Sequence, residues 1–77
     1  MRDSQTGEQL IVRASDFAPS VVIRSFEDFD YLEDVLTERH SIRTSHREIA
    51  DGFELFIHTP LDLPGIQRLL DEITELL

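Results

Sequence analysis

The stretch Phe53–Thr59, FELFIHT, decides the fold. On an extended strand the side chains alternate, so Phe53, Leu55 and Ile57 point one way and Glu54, Phe56 and His58 the other. The first set makes an apolar face suited to packing against helices. The second sets one aromatic ring between a carboxylate and an imidazole, and that ring needs a cover of its own. Ala50, Asp51 and Gly52 just before it read as a hairpin turn, since glycine accepts backbone angles that other residues avoid. Ahead of the turn, SIRTSHRE (41–48) is extended but polar. It reads as an edge strand whose charges discourage unwanted pairing.

On either side of this hairpin the hydrophobic period changes. SFEDFDYLEDVLTERH (25–40) places Phe29, Leu32, Val35 and Leu36 at helical spacing, with Phe26 extending the stripe. Ser25, three residues ahead of Asp28, is a helix cap. Early acids and the later Arg39 and His40 suit the helix dipole. A helix over 26–40 follows. After FELFIHT, Asp62 caps a second helix that tolerates Pro64 in its first turn. Its stripe runs through Ile66, Leu69, Leu70, Ile73, Leu76 and Leu77. Near the start, VVIR (21–24) is rich in β-branched residues and reads as a strand. EQLIVRA (8–14) alternates like one, and SDFAPS (15–20) is the turn between them.

The order ββαββα predicts an α+β domain, a two-layer sandwich with both helices on one sheet face. The helix between strands two and three, followed by a hairpin, makes a split βαβ unit that sets strands two and four side by side and parallel. The predicted sheet is four-stranded and mostly antiparallel, in the order 1-2-4-3. It resembles a ferredoxin-like sandwich with its last strand moved to the front, and this likeness of architecture carries no function with it. One domain over residues 1–77 is expected, with residues 1–7 a frayed tail.

Leu10, Val12, Val21, Ile23, Phe53, Leu55 and Ile57 are then assigned to the helix side. The opposite face shows Ile11, Val22 and Phe56 across adjacent strands, with Arg13, Arg24, Glu54 and His58 around them. An apolar centre within a polar rim is the composition of a protein interface. The predicted interface is therefore Ile11, Arg13, Val22, Arg24, Phe56 and His58. A chain this short sits near the limit of independent folding, and with no cysteine it has no disulfide to help. A second copy stacked sheet to sheet is the simplest cover for Phe56. The bland alternatives are scattered exposed apolar residues, or an N-terminal segment folded across them.

Charge narrows the partners. The formal net charge is −9, from 16 acidic residues against 7 arginines and no lysine. Such a molecule is repelled by nucleic acid and by anionic membranes. A GC-rich genome or adaptation to high salt accounts for the missing lysine, and salt-dependent melting separates the two. Glu27, Asp30, Glu33, Asp34 and Glu38 gather on the first helix. They read as a solvated face or, more sharply, as an acidic surface for a basic partner, as in an inhibitor or immunity-type protein.

Catalytic patterns are missing. No serine lies in a GxSxG elbow, and Gly7, Gly52 and Gly65 are too dispersed for a phosphate loop. Carboxylates on an open helix face are not desolvated enough to act as general acids. A non-enzyme with no cofactor and no metal is expected. His46 and His58 on the two arms of the 41–59 hairpin, with Glu48 or Glu54, leave a metal or small-ligand binder as a further alternative, which depends on the turn register. No apolar run approaches the ~20 residues of a membrane span, and MRDSQTGEQ has no signal-peptide core. A cytoplasmic protein-interaction or regulatory module, acting as a homodimer or bound to a larger protein, is the expectation.

Overall fold

The computed structural model of the protein describes residues 1–75, with side chains as far as Ile73. Leu76 and Leu77 of the predicted stripe lie outside the described residues. The elements are β1 (Ser20–Ile23), α1 (Phe26–His40), β2 (Arg43–Ile49), β3 (Gly52–His58) and α2 (Leu63–Glu75). The strands form one antiparallel sheet in the order β1-β3-β2.

Local chemistry sets the element ends. Ser25 accepts the Asp28 N–H at 3.3 Å and starts α1. The helix stops at Ser41, whose left-handed backbone (φ 54°) lets the next N–H, of Ile42, reach the Leu36 carbonyl at 2.9 Å. Asp62 caps α2 by accepting the Gly65 N–H at 2.9 Å. The hairpin closes through Ala50 and Asp51 alone, with Ile49 opposite Gly52. A Cβ on Gly52 would lie 2.4 Å from the Ile23 carbonyl oxygen, so glycine lets the end of β1 approach the turn.

Val21, Ile23, Leu55 and Ile57 join Phe29, Leu32, Val35 and Leu36 of α1 and Ile66, Leu70 and Ile73 of α2 in one buried cluster, with Phe53 packed against it. The alternation in β3 therefore falls as predicted. Phe26 is largely exposed, its ring resting beside Phe29 and Phe53.

Three predictions need correction. Strands β1 and β3 are neighbours, but they run antiparallel. The helix crossover restores the direction of β1 in β2, and the tight hairpin then reverses it, so β3 between them opposes both. The sheet has three strands and not four. Residues 8–14 form no strand, although Leu10 and Val12 are buried in the cluster. The backbone of this segment pairs with β1 at a single bridge, where Arg13 and Ser20 exchange two hydrogen bonds of 2.8 Å. Beyond that point Gln67 of α2 takes the place of a strand: its amide oxygen accepts the Val12 N–H at 2.9 Å, and its nitrogen donates to the Leu10 carbonyl at 3.0 Å.

The third correction concerns residues 1–7, expected as a frayed tail, which the structure places against the rest of the fold. Met1 and Asp3 are buried. Asp3 and Leu10 donate to the carbonyls of Glu8 and Met1, each at 2.8 Å, folding residues 1–10 back on themselves through Gly7 at φ 77°. Burial alone would raise the Asp3 pKa. The backbone N–H groups of Arg24, Gln5, Ser25 and Thr6 that point at its carboxylate outweigh that effect and hold it below the ordinary aspartate value. Ser4 adds a second tie by donating from its hydroxyl to Asp28 at 2.8 Å.

Candidate functional site

The register of the sheet fixes what its open face shows. Paired residues of an antiparallel ladder point to the same side. Val22 of β1 therefore stands beside Glu54 of β3, and Phe56 stands between Ser20 and Ser45. Arg47 faces Glu54, and Arg43 faces His58.

Phe56 lies on this open face, as the sequence predicts, but it is only 9% exposed. Its cover comes from its own chain. The Phe17 ring stands edge-on to Phe56 with centroids 5.2 Å apart, and edge-on to His58 at 5.3 Å. The Arg47 guanidinium lies 5.9 Å from the Phe56 centroid on the same side. Phe17 is itself 69% exposed, so the apolar surface is passed outward to the loop and not removed. The loop is held by Ser15, whose hydroxyl accepts the Ala18 N–H at 3.3 Å and donates to the Ala18 carbonyl.

Glu54 sits at the centre of the face. It accepts from the Ser20 hydroxyl at 2.8 Å and from Arg47 Nε at 2.7 Å. These two hydrogen bonds hold its pKa below the ordinary glutamate value. His58 Nε2 shares a hydrogen bond of 2.8 Å with the Ser45 hydroxyl.

Two hollows flank Glu54. The larger, about 420 Å³, runs between the N-terminal segment and β1, and its walls include Ile11, Arg13, Val22, Arg24 and Glu54. The smaller, about 230 Å³, lies between Asp16, Phe17, Arg47, Glu54 and Phe56. The structure thus brings four of the six predicted interface residues into one groove, with Phe56 and His58 beneath Phe17 next door. Ile11 and Val22 remain 45% and 40% exposed. Arg13 and Arg24 have no ion pair among the described residues. Phe17 is the residue that sequence reasoning passed over. A lone aromatic in a proline turn between two extended segments was the available signal.

The acidic face divides. On α1, Asp30, Glu33 and Asp34 each offer a carboxylate oxygen within 4.8 Å of the others. Glu33 also approaches His46 Nδ1 at 3.6 Å. Glu27 and Glu38 are exposed on the same helix outside that cluster. The three carboxylates are spaced for a divalent cation, but an exposed turn of helix gathers such groups without one. The hairpin histidines do not converge: His46 pairs with Leu55 on the helix side, while His58 pairs with Arg43 on the open side. A two-residue turn sets this register, so the two imidazoles cannot hold one metal ion.

Among the described residues, no helix is long and apolar enough to cross a membrane. Comparison with protein-family models, with curated protein sequences and with solved structures finds no match to this chain.

Proposed function

We propose that this chain is a non-catalytic protein-interaction or regulatory module whose contact surface is the open face of its sheet. The observation that carries the reading is that Ile11 and Val22, both substantially exposed, line one groove with Arg13 and Arg24, while the exposed Phe17 ring lines the neighbouring hollow across Glu54. Apolar residues ringed by charged ones, with an aromatic at the centre, are the usual make-up of a contact patch. A second copy stacked face to face is the simplest occupant. It shields the three exposed side chains at once and relieves the small size of a single core.

Light scattering tests the reading. Val22 and Ile11 are exposed, so Val22→Asp and Ile11→Asp leave the core intact, whereas a change at Phe56 would unpack Phe17. The unsubstituted chain is expected at twice its monomer mass, and Val22→Asp at the monomer mass. A mass that does not respond to either substitution would remove the open face from the proposal.

A further inference from the structure

The two outer edges of the sheet offer different numbers of free backbone groups. On β2, Ile49 and Gly52 flank the two-residue turn and exchange hydrogen bonds. Alternation then turns Arg43, Ser45 and Arg47 toward β3 and leaves the N–H and C=O of Thr44, His46 and Glu48 facing outward. Among the described residues no partner meets these three pairs of groups. On β1, Pro19 accepts the Ile57 N–H at 2.8 Å, so Ser20, Val22 and Arg24 face outward. There Ser20 is bonded to Arg13, and the Arg24 N–H is bonded to Asp3, which among the described residues leaves Val22 without a backbone partner on that side.

We propose that the free edge of β2 accepts an extended, basic segment of a partner protein as a fourth strand. The charge beside that edge sets the chemistry of the occupant. An added strand has alternate side chains on the helix side, in line with Thr44, His46 and Glu48. On that side His46 is backed by Glu33 at 3.6 Å, and Glu33 belongs to the cluster with Asp30 and Asp34. Lysine or arginine at alternate positions of the incoming strand lies on the side of Glu48 of β2 and of Glu33, Asp30 and Asp34 of α1. The other side of the strand meets Arg43, Ser45 and Arg47, and selects against basic residues there. The segment is therefore one whose basic residues recur every second position, not a basic block. A net charge of −9 adds long-range attraction for it.

The same charges disfavour a second copy at this edge. Antiparallel self-pairing about His46 brings Glu48 opposite Thr44 of the other copy and sets two acidic α1 helices side by side. Shifting the pairs by one residue either way places arginine opposite arginine. This inference stands apart from the open-face reading, because the edge and the open face are different surfaces.

Titrating the isotope-labelled full chain with two synthetic peptides of equal length and composition tests it. In one, lysine alternates with threonine; in the other, the lysines form a block. The alternating peptide is expected to slow hydrogen exchange at the Thr44, His46 and Glu48 amides. Glu33→Gln with Asp34→Asn should weaken its binding roughly tenfold. The Leu55 amide, paired inside the sheet, reports that the variant is folded. Three results would overturn the proposal: no protection of those amides at saturating peptide, equal binding of the block peptide, or protection that rises with protein concentration alone, which would make the occupant a second copy.

Discussion

The two edges of this sheet solve the same physical problem in opposite ways. A strand at an edge carries a row of unpaired donors and acceptors, which folded proteins cover or blunt. The chain closes β1 with its own first residues: Arg13 bonds Ser20, and the Asp3 carboxylate takes the N–H groups of Arg24 and Ser25. Among the described residues nothing covers the longer β2, which carries charged residues along it. The N-terminal segment, folded back on itself and anchored by Met1, Leu10 and Val12 in the core, therefore acts as a structural cap. What remains are the open face and the β2 edge, the two surfaces on which the proposed contacts rest.

The contrast can be broken at four points, in falling order of effect. Gly52→Ala forces a methyl group against the Ile23 carbonyl, and should destabilise the chain by about 3 kcal/mol in chemical denaturation. Because the clash lies between β3 and β1, amides of β1 should lose protection before those of β2. Asp3→Ala strips the cap from Arg24 and Ser25 and should cost about 2 kcal/mol at neutral pH. The effect should depend on pH. Asp3 and Glu54 bind protons less readily in the folded chain than in the unfolded one. The stability they contribute is complete above the ordinary carboxyl range near pH ~4 and drains away as pH falls through their lower folded values. The gap between Asp3→Ala and the unsubstituted chain should therefore narrow in acid-unfolding curves at low pH. A gap constant down to strong acid would show that the carboxylate charge plays no part.

Gln67→Leu keeps the length of the side chain but removes the amide that bonds Leu10 and Val12. A loss of about 1 kcal/mol is expected, with faster exchange at Val12 and none at Thr44 or His46. Smallest is Phe17→Ser. It uncovers Phe56 without touching either edge, and should change stability by less than about 1 kcal/mol. A fall in self-association without a fall in melting temperature would sharpen the assignment of the open face.

Much of this was legible in the sequence, and the remainder for a physical reason was not. The helix over 26–40, its Ser25 cap, the Asp62 cap and the inward set of Phe53, Leu55 and Ile57 follow from periodicity and capping chemistry, which are local. The segment Leu10–Val12 shows the limit. Alternation reports that a chain is extended with one side buried, and it says nothing of what its backbone bonds to. A glutamine from a helix satisfied groups that a neighbouring strand was expected to satisfy. Asp3 shows the same limit in a polar stretch, since a carboxylate that collects backbone N–H groups reads in sequence as an ordinary surface acid. Of the candidate site, Ile11, Arg13, Val22 and Arg24 line one groove, and alternation is the local signal that sets them on one face. The cover over Phe56 was missed because Phe17 lies in a turn, where periodicity gives no direction.

Amide hydrogen exchange, residue by residue on the dilute full chain, tests the difference between the edges most directly. Ser20, Arg24 and Ser25 should be protected at every protein concentration, while Thr44, His46 and Glu48 exchange almost as fast as an open loop. Equal protection at the two edges in dilute solution, or an unprotected Arg24, would contradict the closed and open edges described here.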